Sequence, residues 1–92
     1  MNSNVIWIDA NLDNKENTCY IKELKTFRSI RLILCKNIDE AIYHLKNIYF
    51  HDTKIIVSGR LYSGFIKRFK NNAKDICVAP KIIVFAGSKK IS

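Results

Sequence analysis

The stretch that most constrains this chain is Thr53 to Phe69, TKIIVSGRLYSGFIKRF. Ile55, Ile56 and Val57 form an apolar run that stops at Ser58-Gly59, where a helical pattern begins at once. A strand, a tight turn and a helix in so short a span make half of a βαβ unit. Three other apolar runs can serve as strands: Val5-Ile6-Trp7-Ile8, Leu32-Ile33-Leu34-Cys35 and Ile82-Ile83-Val84-Phe85. Each is continuous rather than alternating, which fits a strand covered on both faces.

The segments between these runs carry helical spacing. Asp13 can cap a helix over 14–27, with Glu16 completing a capping box. Tyr20, Ile21, Leu24 and Phe27 fall on one arc of that helix. Asn37 caps a second helix with Glu40 at its third position, and Ile38, Ala41, Ile42, Leu45, Ile48 and Tyr49 share a face. A third helix runs over 60–70 with Leu61, Tyr62, Phe65, Ile66 and Phe69 as its apolar side, and Asn71-Asn72 as its stop. Pro80 cannot donate to a ladder, so the fourth strand is placed at 81–86, with 76–79 either an extended approach or a short strand.

The order is βαβαβαβ. It predicts an α/β fold: an open parallel sheet of strand order 2-1-3-4, right-handed crossovers, and helices on both faces. Ligands of such sheets sit beyond the carboxyl ends of the strands where strand order reverses. That rule points to Asp9 and Asn11 after the first strand, and to Ser58, Gly59 and Arg60 after the third.

Composition narrows the function classes. Ninety-two residues make one small domain, which buries only about 60–65% of its unfolded surface. No apolar run approaches the roughly 18 residues of a membrane helix. The first residues, MNSNVIWIDAN, lack the positive n-region of a signal peptide. Cys19, Cys35 and Cys77 contain no CxxC pair. Cys35 and Cys77 lie at or within apolar runs and read as buried thiols, so a reducing compartment, cytoplasmic or nuclear, is expected. The formal charge of +8 is unevenly placed. Acids and bases balance over residues 1–52, whereas residues 53–92 hold nine Lys/Arg against Asp75 alone. Such asymmetry fits either an acidic partner surface or a piece of a larger chain that supplies compensating acid.

The element order and strand-terminal residues resemble the receiver domain of response regulators, a flavodoxin-like family. VIWIDAN is similar to the family's first strand, and IDEAIYHL to its second helix. The resemblance implies a Mg²⁺-holding acidic pair after the first strand, a phosphoacceptor Asp after the third, a Thr or Ser after the fourth and a Lys after a fifth. This chain keeps Asp9 but has Ala10 as the second of the pair, Ser58 at the acceptor position and Ala86 at the hydroxyl position. It therefore resembles a pseudo-receiver, and the resemblance implies a further strand and helix beyond residue 92. The combination WIDAN, IIVSGRLY and APKIIVF also resembles a receiver-like module at the N-termini of larger eukaryotic proteins.

Each candidate site has two readings. Ser58-Gly59-Arg60 is either an anion site, with Gly59 permitting a sharp turn and Arg60 adding charge, or an ordinary βα turn. Asp9 is either the relic of a metal site or a carboxylate satisfying nearby turn amides. His44 and His51 have no partners at zinc spacing, so no metal site and no cofactor are expected. Arg60, Lys67, Arg68 and Lys70, joined by Lys74 if the helix continues, form a basic arc opposite the apolar side of the third helix. That arc engages phosphates or an acidic protein, or it is simply solvated. The expectation is a non-enzymatic, receiver-like module for signalling or protein interaction, with binding of nucleic acid or acidic lipid through the basic arc as the alternative. An exposed fourth strand would also permit self-association.

Overall fold

The computed structural model describes residues 3–13, 15–48, 52–76 and 79–85. Its elements are β1 (Ser3–Ile8), α1 (Lys15–Leu24), β2 (Ile30–Cys35), α2 (Ile38–Lys46), β3 (Asp52–Ser58), α3 (Gly59–Asn71), a 3-10 turn (Ala73–Asp75) and β4 (Lys81–Phe85). The four strands form one parallel sheet in the order β2-β1-β3-β4, as the alternation of elements predicts.

Sequence detail explains the boundaries. Asn37 caps α2, its side-chain oxygen accepting from the Glu40 N–H at 2.9 Å. The Glu40 carboxylate reaches back to the Lys36 N–H at 2.9 Å, one residue earlier than an ideal capping box would have it. Asn72 ends α3, its N–H donating to Arg68 and Phe69 carbonyls and its side-chain amide to the Arg68 carbonyl. The helix thus ends at Asn71, and Lys74 lies in the 3-10 turn rather than on α3. The first helix is shorter than predicted, because Lys25 and Thr26 turn out of it. Asn14, the Glu16 side chain, Tyr49, His51, Cys77 and Ala86 lie outside the described residues, and with them the Asp13–Glu16 capping box.

Alternation along the strands sorts side chains to two faces. On one, Ile6, Ile8, Ile55 and Val57 pack with Ala41, Ile42 and Leu45 of α2 and Phe65 of α3. Phe65 is fully buried, whereas Leu61, Ile66 and Phe69 are half-buried around it. The two helices approach closely: a Cβ on Gly64 would meet Ile38 Cδ1 at 3.0 Å. On the other face Trp7 packs with Leu12 and Ile21, flanked by Leu24, Leu32, Ile56 and Phe85. One face therefore carries α2 and α3, and the other carries α1.

The predicted apolar arc of α1 is not fully covered. Ile21 is buried, but Tyr20 is 42% and Phe27 54% exposed. Tyr20 nevertheless reaches across to Phe85 of β4, with ring centroids 5.5 Å apart.

Cysteine environments differ in the way the apolar runs suggest. Cys35 is fully buried at the end of β2, while Cys19 is exposed on α1. Burial, reinforced by the nearby Glu40 carboxylate, pushes the Cys35 thiol up to about 12. Because the thiolate is the nucleophile, iodoacetamide at pH 8 should alkylate Cys19 at least tenfold faster than Cys35, read by peptide mass mapping. Equal rates would mean that β2 opens easily.

Candidate functional site at the carboxyl edge of the sheet

β1 and β3 run side by side with Ile8 opposite Val57, so Asp9 and Ser58 follow at the same edge of the sheet. This juxtaposition is the one the strand order predicts. Ser58 in turn lies opposite Phe85, the last residue of β4.

Asp9 is buried and fully engaged by its own chain. One carboxylate oxygen accepts from the Asn11 N–H at 2.9 Å, which closes a tight Asx turn. The other accepts from the Asn17 side-chain amide at 3.0 Å. Asn17 also donates to the Asn11 carbonyl at 2.8 Å, and the Asp9 N–H donates to the Cys35 carbonyl at 3.0 Å. The carboxylate thus ties the β1 end, the following turn and the first turn of α1 together. Asn17 was not singled out as a site residue. The available signal was its place four residues before Ile21, on the buried stripe of α1.

Ser58, Gly59 and Arg60 are less organised for chemistry. β3 passes into α3 with no intervening residue, and Ser58 is the N-cap without a side-chain cap bond. Gly59 has no positive φ, and a Cβ there would meet open space. The change of direction between strand and helix is therefore made without a left-handed backbone, and any residue compatible with a first helical turn fits. Arg60 is exposed. His44 lies in the last turn of α2, which runs back from this edge, so the helix carries it away from Ser58. Among the described residues no group of three His, Cys, Asp or Glu side chains is placed to hold a metal ion.

The basic arc is present with two corrections, the first being that Lys74 lies in the 3-10 turn beyond the end of α3. Arg60, Lys67, Lys70 and Lys74 are exposed, and none takes part in an ion pair among the described residues. Arg68 is committed elsewhere, hydrogen-bonded and ion-paired to Asp39 of α2. The reason is packing: α2 and α3 share a face of the sheet, and Arg68 lies on the flank of α3 next to its neighbour. On α3 itself the free cations are Arg60, Lys67 and Lys70, with Lys74 following in the 3-10 turn.

A second feature lies on the α1 face. A groove of about 300 Å³ is lined by Trp7, Ile56, Ile83 and Phe85 of the sheet and by Tyr20, Glu23, Leu24 and Phe27 from α1 and the residues after it. Trp7, Tyr20 and Phe85 are in mutual edge or tilted contact, with ring centroids 5.3–6.4 Å apart. Rings that touch in this way leave no hollow for a cation between them, so the cluster is not an ammonium cage.

No protein family, curated protein or solved structure matches this chain. The receiver resemblance therefore rests on the element order and on the strand-terminal residues alone. No helix among the described residues is long and apolar enough to cross a membrane.

Proposed function

We propose that the chain is a non-enzymatic, receiver-like protein-interaction module whose phosphoacceptor site is not intact. The observation that carries this reading is the state of Asp9. Both of its oxygens already accept N–H donors from Asn11 and Asn17, and Ala10 beside it adds no ligand. Mg²⁺ demands several oxygen ligands in near-octahedral array, and a carboxylate spent on turn amides is a poor start. A serine hydroxyl without an activating base is likewise a weak phosphoryl acceptor.

Incubation with acetyl phosphate and Mg²⁺ is therefore expected to leave the intact mass unchanged. A stoichiometric gain of one phosphoryl group, lost in Ser58→Ala or Asp9→Asn, would sink the reading.

A second reading, binding to anionic surfaces, is favoured by the four unpaired cations at Arg60, Lys67, Lys70 and Lys74. Two of the three aromatic side chains of α3, Phe65 and Phe69, pack into the core and against each other, at 5.8 Å between centroids; Tyr62, expected on the same apolar side, is instead 39% exposed. The partner of this strip would be a polyanion read by charge alone.

A further inference from the structure

Ser63 stands in line with the cations of α3. Counted from Arg60, the helical rise places Ser63, Lys67 and Lys70 about 4.5, 10.5 and 15 Å further along the axis. At roughly 100° per residue all three fall within about 80° of Arg60, on the side opposite the fully buried Phe65. All four are exposed. They follow one another at intervals of three and four residues, as neighbours on a helix surface do. Ser63 is the uncharged member, and its hydroxyl takes part in no side-chain hydrogen bond among the described residues.

Nothing on α3 neutralises this line. The helix contains no Asp or Glu, and Arg60, Lys67 and Lys70 enter no ion pair among the described residues. Lys74 stands apart from it, in the 3-10 turn with Asp75 next to it. The line is also narrow. On the α2 side it is bordered by Arg68, which Asp39 already holds, and on the other by Ile66, half-buried against the core.

That shape selects among acidic partners. An anionic membrane is a plane, and laid against the line it would also meet α2, whose exposed first turn carries Asp39 and Glu40. Membrane-surface helices in addition bury an apolar face among the lipids, and that of α3 is spent on the core. A protein interface has an apolar centre, which a row of cationic groups around one hydroxyl does not supply. A polynucleotide backbone is itself a narrow line of regularly repeated charge. Its phosphate oxygens accept from Arg, Lys and Ser side chains alike.

We infer that α3 lies lengthwise along one strand of a polynucleotide, with Arg60, Lys67 and Lys70 on phosphates and the Ser63 hydroxyl donating to a phosphate oxygen between the first two. The inference rests on the anionic-surface reading and names its partner class and a contact residue that carries no charge. The helix is positioned by phosphates without reading sequence. Tyr62, 39% exposed, lies about 120° around the helix from the middle of the line.

The test measures binding of the full chain to a labelled duplex DNA of mixed sequence, by fluorescence anisotropy over a salt titration. Wild type is compared with Ser63→Glu, Ser63→Arg and Ser29→Arg. Ser63 and Ser29 are exposed, and Glu and Arg suit a helix, so the variants should keep the wild-type circular dichroism. Ser29 immediately precedes β2, which lies two strands from β3. Ser29→Arg therefore adds the same charge off the line.

Ser63→Glu is expected to weaken binding at least tenfold. Ser63→Arg should tighten it severalfold and steepen the slope of log K against log salt by about 0.9, the value of one further phosphate. Ser29→Arg should leave affinity and slope near those of wild type. DNA binding that Ser63→Glu leaves intact, or equal gains from Ser63→Arg and Ser29→Arg, would overturn the line and leave a diffuse positive surface in its place. Vesicles of anionic phospholipid, or polyglutamate, bound as tightly as DNA at equal salt would give the site to a membrane or an acidic protein and overturn the partner class. A chain that binds none of these probes refutes the anionic-surface reading itself, and the inference with it.

Discussion

Replacing Asp9 with alanine is expected to lower the unfolding free energy by about 2–4 kcal/mol, since two hydrogen bonds to a buried carboxylate are lost together. Asp9 is 6% exposed and its partner Asn17 3%, so water cannot replace those bonds without opening the turn. For a domain of this size the change amounts to a fall of at least about 8 °C in Tm. Asp9→Asn keeps one acceptor oxygen for the Asn11 N–H but sets an amide NH2 against that of Asn17, so it too should lower Tm. Thermal melts of the three proteins, with and without millimolar Mg²⁺, check this directly. A metal-site relic behaves in the opposite way: an idle buried carboxylate is a cost, its removal stabilises, and Mg²⁺ raises Tm by binding the native state. An unchanged or higher Tm for Asp9→Ala would return the residue to the candidate metal site.

The same residue shows what a sequence of this kind makes legible. Four continuous apolar runs separated by helical spacing are enough for the order 2-1-3-4, because short right-handed crossovers leave few alternatives. Local signals also held where they were self-contained: Asn37 caps α2 and Asn72 ends α3, each through bonds within four residues. The position of Asp9 followed from the strand order, but its role did not. That role depends on Asn17, eight residues away, on a helix where a polar residue normally reads as solvent-facing.

Inter-element relations escaped for the same reason. Arg68 looked like one more cation until α2 and α3 came to lie on one face and brought Asp39 within reach. Gly59 looked like a turn glycine because strand and helix abut there, yet the backbone passes between them without a positive φ. The groove beside Trp7 is lined from α1, β1, β3 and β4 together, a set that no single segment contains.

The other large effect concerns the three unpaired cations of α3 and Lys74 in the turn after it. Neutralising Z phosphates of duplex DNA gives a slope of about −0.9Z in log K against log salt. Engaging three or four of Arg60, Lys67, Lys70 and Lys74 implies a slope of roughly −3 to −4. Affinity for duplex DNA should then fall by about a hundredfold between ~50 and ~200 mM salt, as measured by fluorescence anisotropy. Lys67 and Lys70 are exposed, so Lys67→Glu with Lys70→Glu reverses two charges without touching the buried Phe65. Binding should be abolished while Tm changes little. Arg68→Ala is the internal control. Its guanidinium is held by Asp39, so its loss should weaken binding far less than either lysine change. If Arg68→Ala matters as much as the lysines, the Asp39 pair opens on binding and the strip has five members. A chain that ignores DNA, RNA and anionic vesicles alike at ~50 mM salt has a merely solvated strip, and the interaction-module reading then stands alone.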